Sequence, residues 1–182
     1  MADLLQAVKN LAGSLVDDEP KMALHVGEVA ACWTQYVALA ESLTAERIAL
    51  NTTTNPELRK VVEEAHRMCD SQRERLEEFM KQEGVPLPEI SQPKPDSDPG
   101  SIPMGVKSSD EEIANALVLK ITSGTAAYAA AAAQCVRNDV GAMWLTFQSE
   151  FVAFGINLKR LMRKHGWLKI PPLYVPPGSP IQ

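Results

Sequence analysis

The sequence is short of several things, and each shortage removes a class of function. Only 5% of its 182 residues are aromatic and only three are histidine. No Gly-x-x-x-x-Gly-Lys phosphate loop and no Ser/His/Asp order of a hydrolase occurs, so the common nucleotide-binding and acyl-transfer signatures are missing. The three cysteines, Cys32, Cys69 and Cys135, form no Cys-x-x-Cys pair. An odd, scattered set excludes a zinc knuckle and suits reduced, buried thiols in a cytosolic compartment. Positive charge is in deficit: the net charge is −5 and the pI about 5.3. An acidic whole argues against general nucleic-acid binding, which needs a basic surface to neutralise phosphates. With acids near the start (Asp3, Asp17, Asp18), the opening residues are not expected to be a signal peptide. Residues 117–136 are the most apolar stretch, but they carry Lys120 and many weakly apolar alanines. They are expected to form a helix in a soluble protein and not a membrane span.

What is present is helical periodicity. A short amphipathic helix is expected over 2–15, with Leu4, Leu5, Val8, Leu11, Ala12 and Leu15 on one face. A first long helix is expected over 18–50, opened by Asp18-Glu19-Pro20. Its apolar face reads Met22, Val26, Val29, Trp33, Val37, Ala40 and Ile48. A second follows over 56–83, capped by Asn55, with Leu58, Val62, Ala65, Cys69, Leu76 and Phe79 inward and Gly84 as its stop. Ser109 and Glu112 make a capping box that starts a third helix over 109–137, with an inner stripe from Ile113 through Gly124 and Tyr128 to Cys135. The fourth is expected over 139–165, burying Trp144, Phe147, Phe151 and Phe154. Small residues on the third helix opposite large ones on the fourth favour close packing, and the alanine run 126–133 is also suited to a subunit interface. Residues 167–182 read as an extended, proline-rich tail.

Residues 85–108 carry six prolines and connect helices two and three. A helix of about 28 residues is about 42 Å long. Twenty-four extended residues reach roughly 70–75 Å. The segment can therefore run the length of a bundle and start the third helix at the opposite end. The expected fold is all-α: one domain, a ferritin-like four-helix bundle with a long proline-rich crossover and a short N-terminal helix.

That architecture raises the question of metal. A carboxylate-bridged pair needs a Glu from each of two helices and a Glu-x-x-His from each of the other two. Glu63 and His66 supply one such motif, and Glu41 lies level with them. The third helix contains no acid after Glu112, and the fourth has Glu150 but no histidine before His165. The set is incomplete. Glu63 and His66 also fall in a polar stripe with Arg59, Asp70, Arg73, Glu77 and Lys81, which reads as a solvated face with Arg59–Glu63 and Arg73–Glu77 pairs. His25 and Glu28 repeat the spacing in mirror order and lack a third ligand. The basic cluster Lys159 to Lys169 complements a helix C-terminus.

Several short stretches, in order, resemble a family of unknown function from spore-forming bacilli, some of whose members are called spore-coat-like. They are Trp33-Thr34-Gln35-Tyr36, Gly84-Val85-Pro86-Leu87-Pro88, Ile102-Pro103-Met104-Gly105, Arg137-Asn138-Asp139-Val140 and His165-Gly166-Trp167 leading to Pro171-Pro172. The resemblance implies a ferritin-like bundle and no established reaction. The expectation is a non-catalytic structural or interaction protein, cytoplasmic or spore-associated, self-associating through helix faces, without cofactor, nucleic-acid or membrane partner. The alternative is a metal binder or oxidase-type protein with a non-standard site at Glu41, Glu63 and His66, or at His25 and Glu28.

Overall fold

The computed structural model describes residues 21–174 and 176–177. The short helix expected over 2–15 lies outside the described residues. Four long helices follow: α1 (Val26–Thr52), α2 (Pro56–Gln82), α3 (Asp110–Gln134) and α4 (Asn138–His165). No strand occurs among the described residues.

The ends of the helices are set locally. α2 begins with Pro56 at its first position and Asn55 accepting the Glu57 and Leu58 amides. α3 begins with the reciprocal Ser109/Glu112 box. Gly84 and Gly166 take φ of 70° and 73°, which lets Val85 N reach Met80 O and Trp167 N reach Met162 O, closing α2 and α4. α1 starts later than expected. Residues 21–25 are not helical, and the cap is His25, whose Nδ1 accepts the Gly27 amide at 2.9 Å while Glu28 accepts the His25 amide at 3.1 Å. α1 also runs two residues past the expected end, and α3 stops at Gln134 and not at 137.

α1 with α2, and α3 with α4, form two hairpins that hold most of the tertiary contacts. The crossover climbs along α1: Asp96 pairs with Arg47, Asn51 Nδ2 donates to Pro95 O, and the Ser97 amide donates to Asn51 Oδ1. It delivers the chain to the far end, where Thr53 Oγ1 donates to Asp110. The helices therefore run up, down, down, up, the ferritin-like order.

The core of α3 and α4 follows the expected stripes. Trp144 is fully buried, stacked on Tyr128 and edge-on to Phe147. Gly124 is required by close approach, since a Cβ there would lie 2.5 Å from the Phe151 ring. By length and composition α3 could cross a membrane. Here its Lys120 and Tyr128 are paired with Glu46 and Gln72 inside the bundle.

α1 corrects the sequence reading. Its buried side is Glu28, Cys32, Tyr36, Leu39, Ala40, Glu46 and Leu50, whereas Met22, Val26, Trp33 and Ile48 are exposed. From Val29 to Ala40 the helix has no charged residue, so two apolar stripes compete. The stripe that wins contains two glutamates, because each finds a buried partner from the other hairpin.

Candidate functional site

Two buried polar clusters tie the hairpins together. The first lies mid-bundle. Glu46 of α1 is 2% exposed. It pairs with Lys120 of α3, whose Nζ also donates to Cys69 Sγ of α2 at 3.0 Å. His66 Nδ1 stands 3.6 Å from the second Glu46 oxygen, beyond hydrogen-bond length. Burial disfavours the Lys120 cation, but the Cys69 and Glu46 side chains outweigh it and hold its pKa above the ordinary lysine value. Burial pushes the Cys69 thiol up to about 12, and Lys120 only partly opposes this. Cys69 is fully buried and packs at the centre of this cluster. Cys32 is likewise raised to about 12 by burial.

The mid-bundle cluster continues one turn below Cys69, where Gln72 is fully buried. It accepts from Tyr128 Oη at 2.8 Å and donates to Glu150 Oε2 at 2.7 Å and to Phe147 O at 3.3 Å. Arg75 closes the set on Glu150 and lies over the Phe147 ring at 4.6 Å. Burial raises the Tyr128 hydroxyl, which keeps it a donor.

The second cluster occupies the α3–α4 turn. Arg137 is 4% exposed. It grips Glu83 at 2.7 Å through both terminal nitrogens, reaches Asp139, and donates to Met22 O. Glu28 Oε1 accepts the Val136 and Arg137 amides at 2.9 and 3.0 Å. Arg137 holds the Asp139 and Glu83 carboxyls below their usual range. Burial pushes Glu28 upward, and the Arg137, His25 and Val136 amides outweigh it. All three folded-state pKa values are depressed. Their stabilisation is complete above about pH 4.5, the unfolded carboxylate range, and fades as pH falls through the folded values. Urea titrations should give stability steady from pH 7 to 5 with respect to these groups and falling between pH 4 and 2, with a shallower fall in Asp139→Asn. Equal slopes in the two proteins would refute this assignment.

The structure places the sequence candidates as follows. His25 and Glu28 form the α1 cap, with both Glu28 oxygens engaged by backbone amides. Glu41 is exposed and meets Ser91. Glu63 and His66 are half-buried and line a crevice with Arg47 and Asp96. His66 does not stand on a fully solvated face, which corrects the polar-stripe reading: its inner edge turns to Glu46. Arg59 donates to Leu50 O at 2.7 Å, and Arg73 does pair with Glu77 at 2.8 Å. In the basic cluster, Lys164 and His165 pair with Glu57 of α2.

The metal pair implied by a ferritin-like bundle does not fit these residues. The Lys120 ammonium sits between Glu46 and Cys69, and Glu28 has no oxygen to spare. Among the described residues no three His, Cys, Asp or Glu side chains converge as a ligand set. The sequence reading missed Glu46, Lys120, Gln72 and Arg137. Lys120 was the available signal, as the lone charge of α3 between Glu112 and Gln134, one turn after Leu117 and adjacent to Ile121.

Known proteins are similar to this chain in sequence or in structure. YvdQ of Bacillus subtilis strain 168, itself uncharacterised, is 28% identical over 158 residues, 87% of this chain and 91% of that protein. The crystal structure of BH2358 from Bacillus halodurans C-125, provisionally called a spore coat protein, superposes with a TM-score of 0.82 at 28% identity, covering 85% of this chain and 97% of that one. A two-domain protein of Anabaena variabilis, with a DJ-1/ThiJ/PfpI-like and a ferritin-like domain, aligns with a TM-score of 0.62 at 14% identity. It covers 96% of this chain and 52% of its own, and shows the ferritin-like fold alone. Residues 15–179 match the DUF3231 family, described as proteins of unknown function, and the chain belongs to that family.

Proposed function

We propose that this protein is a non-catalytic, self-associating building block of a spore-associated assembly. One observation carries the reading: after its first turn α3 has a single charged residue, Lys120, yet only Ile113, Ala114, Leu117, Ile121, Tyr128 and Ala131 of its 25 residues are buried. Val118, Ile121, Thr122 and Thr125 of α3 join Val152, Ile156 and Lys159 of α4 around a shallow groove of about 220 Å³, and Leu119 is exposed elsewhere on α3. Such a face is a docking surface in most proteins that carry one. A second copy is the fitting occupant. Lys120 is turned inward to Glu46, so the α3 half of the face presents no charge; Lys159 on the α4 side is the charged residue lining the groove, and a patch with so little charge can meet itself across a two-fold axis with little repulsion. The provisional name of BH2358 supports the spore setting. The buried polar clusters support a non-catalytic role, because their groups are spent on one another.

Sedimentation of the wild type should report a dimer or larger species at micromolar concentration. Val152→Glu with Ile156→Glu should shift it to monomer while leaving the helical circular dichroism intact. A wild type that sediments as a monomer even at about 100 µM would remove the support for self-association.

A further inference from the structure

Lys120 and Cys69 form an uncommon pairing inside the bundle. The Lys120 ammonium on α3 donates to Cys69 Sγ on α2 at 3.0 Å, and its other partner is the Glu46 carboxylate on α1. Nitrogen and sulfur so placed are already at the separation of reacting atoms, about 3–3.5 Å. Among the described residues the other two thiols show no such neighbour. Cys135 Sγ donates to Ala131 O at 3.1 Å, and the charged groups that act on Cys32 and Cys135 are the acids Glu28, Glu83 and Asp139. Lys120 and Glu46 also line the open groove of about 370 Å³ between α1 and α3, so a small oxidant in the groove is one side chain away from Cys69.

We propose that Cys69 and Lys120 are an oxidative modification site: hydrogen peroxide converts them to a sulfenamide, a direct Nζ–Sγ bond that ties α2 to α3. The chemistry takes two steps. Cys69 sulfur attacks one peroxide oxygen and the O–O bond breaks, leaving a sulfenic acid, while the thiol proton departs with the second oxygen as water. Lys120 then passes one proton to Glu46 and becomes a free amine. Its lone pair attacks Sγ, the S–O bond breaks, and the hydroxyl takes a second nitrogen proton and leaves as water. Sulfur is oxidised by two electrons, and one peroxide is reduced to two waters. The last proton stays on Glu46, so the ion pair becomes a neutral acid beside a neutral sulfenamide and no buried charge is stranded. Burial keeps the Cys69 thiol protonated, and only its thiolate reacts, so the bond forms slowly and records sustained exposure. The two hairpins are otherwise joined in sequence by the crossover alone, and the bond gives them a second covalent tie.

Peptide mapping of the full-length protein, held for hours in millimolar hydrogen peroxide and then unfolded with free thiols blocked, tests this. Trypsin releases Cys69 on residues 68–73 and cleaves after Lys120. The expected product is peptide 68–73 joined to peptide 108–137, uncleaved at Lys120 and lighter by two hydrogens than its separate parts. Dithiothreitol should free both peptides and restore the cleavage. Cys69→Ser and Lys120→Arg, each with the helical circular dichroism of the wild type, should abolish the joined pair. Cys69 recovered as a thiol, or as a sulfinic or sulfonic acid without a link, would overturn the proposal. So would a link to peptide 121–137, which is a disulfide to Cys135. A joined pair that keeps one oxygen would overturn the direct bond in favour of an N–O–S bridge.

Discussion

Glu46→Ala is expected to lower the unfolding free energy by about 3 kcal/mol, measured by urea denaturation at pH 7. The change strands the Lys120 ammonium among Cys69 and the inner faces of three helices. Breaking one side of a buried pair costs roughly 3–5 kcal/mol, mostly from the uncompensated charge that remains. The lower end applies because Lys120 lines the open groove between α1 and α3 and can swing outward. The penalty belongs to the orphaned charge and not to the pair. Glu46→Leu combined with Lys120→Met should therefore return to within about 1 kcal/mol of the wild type. If the double variant proves as unstable as the single one, the cluster stabilises the fold by some route other than charge pairing.

Trp144→Ala should have an effect of comparable or greater size, about 4 kcal/mol. The indole is fully buried and forms the centre of an aromatic group, 5.8 Å from both the Tyr128 and Phe147 ring centroids. Its removal leaves a cavity between α3 and α4, whose tight approach at Gly124 and Phe151 allows little collapse. Trp144→Phe keeps most of the contact and should cost under half as much. A loss below about 1.5 kcal/mol for the alanine variant would mean that the hairpin repacks freely and that its core is not the rigid interlock described.

The two variants probe features of very different legibility. Trp144 and its stripe could be read directly, because apolar residues at spacings of three and four on α4 alternate with polar ones and leave one possible inward face. The caps could be read for the same local reason: Asn55-Pro56 and Ser109/Glu112 act within one turn of chain. Glu46 could not be found this way. Its partner Lys120 lies 74 positions away, and on α1 the charge-free run left two equal apolar stripes. Periodicity then favoured the stripe with Trp33, and the folded chain buries the one with Cys32, Tyr36 and Leu39.

The sequence by itself determined the four helices, most of their ends, the crossover and the aromatic core, since these rest on local backbone preferences, chain length and helical period. It also determined that α3 supplies no carboxylate beyond its first turn to a metal pair. Tertiary structure decided which side of α1 is inside and what the polar side chains do. Only when the hairpins close does Lys120 meet Glu46 and Cys69, and Arg137 meet Glu83. Burial of a charge is favourable only beside its counter-charge, and that neighbour is a property of the fold and not of the local chain.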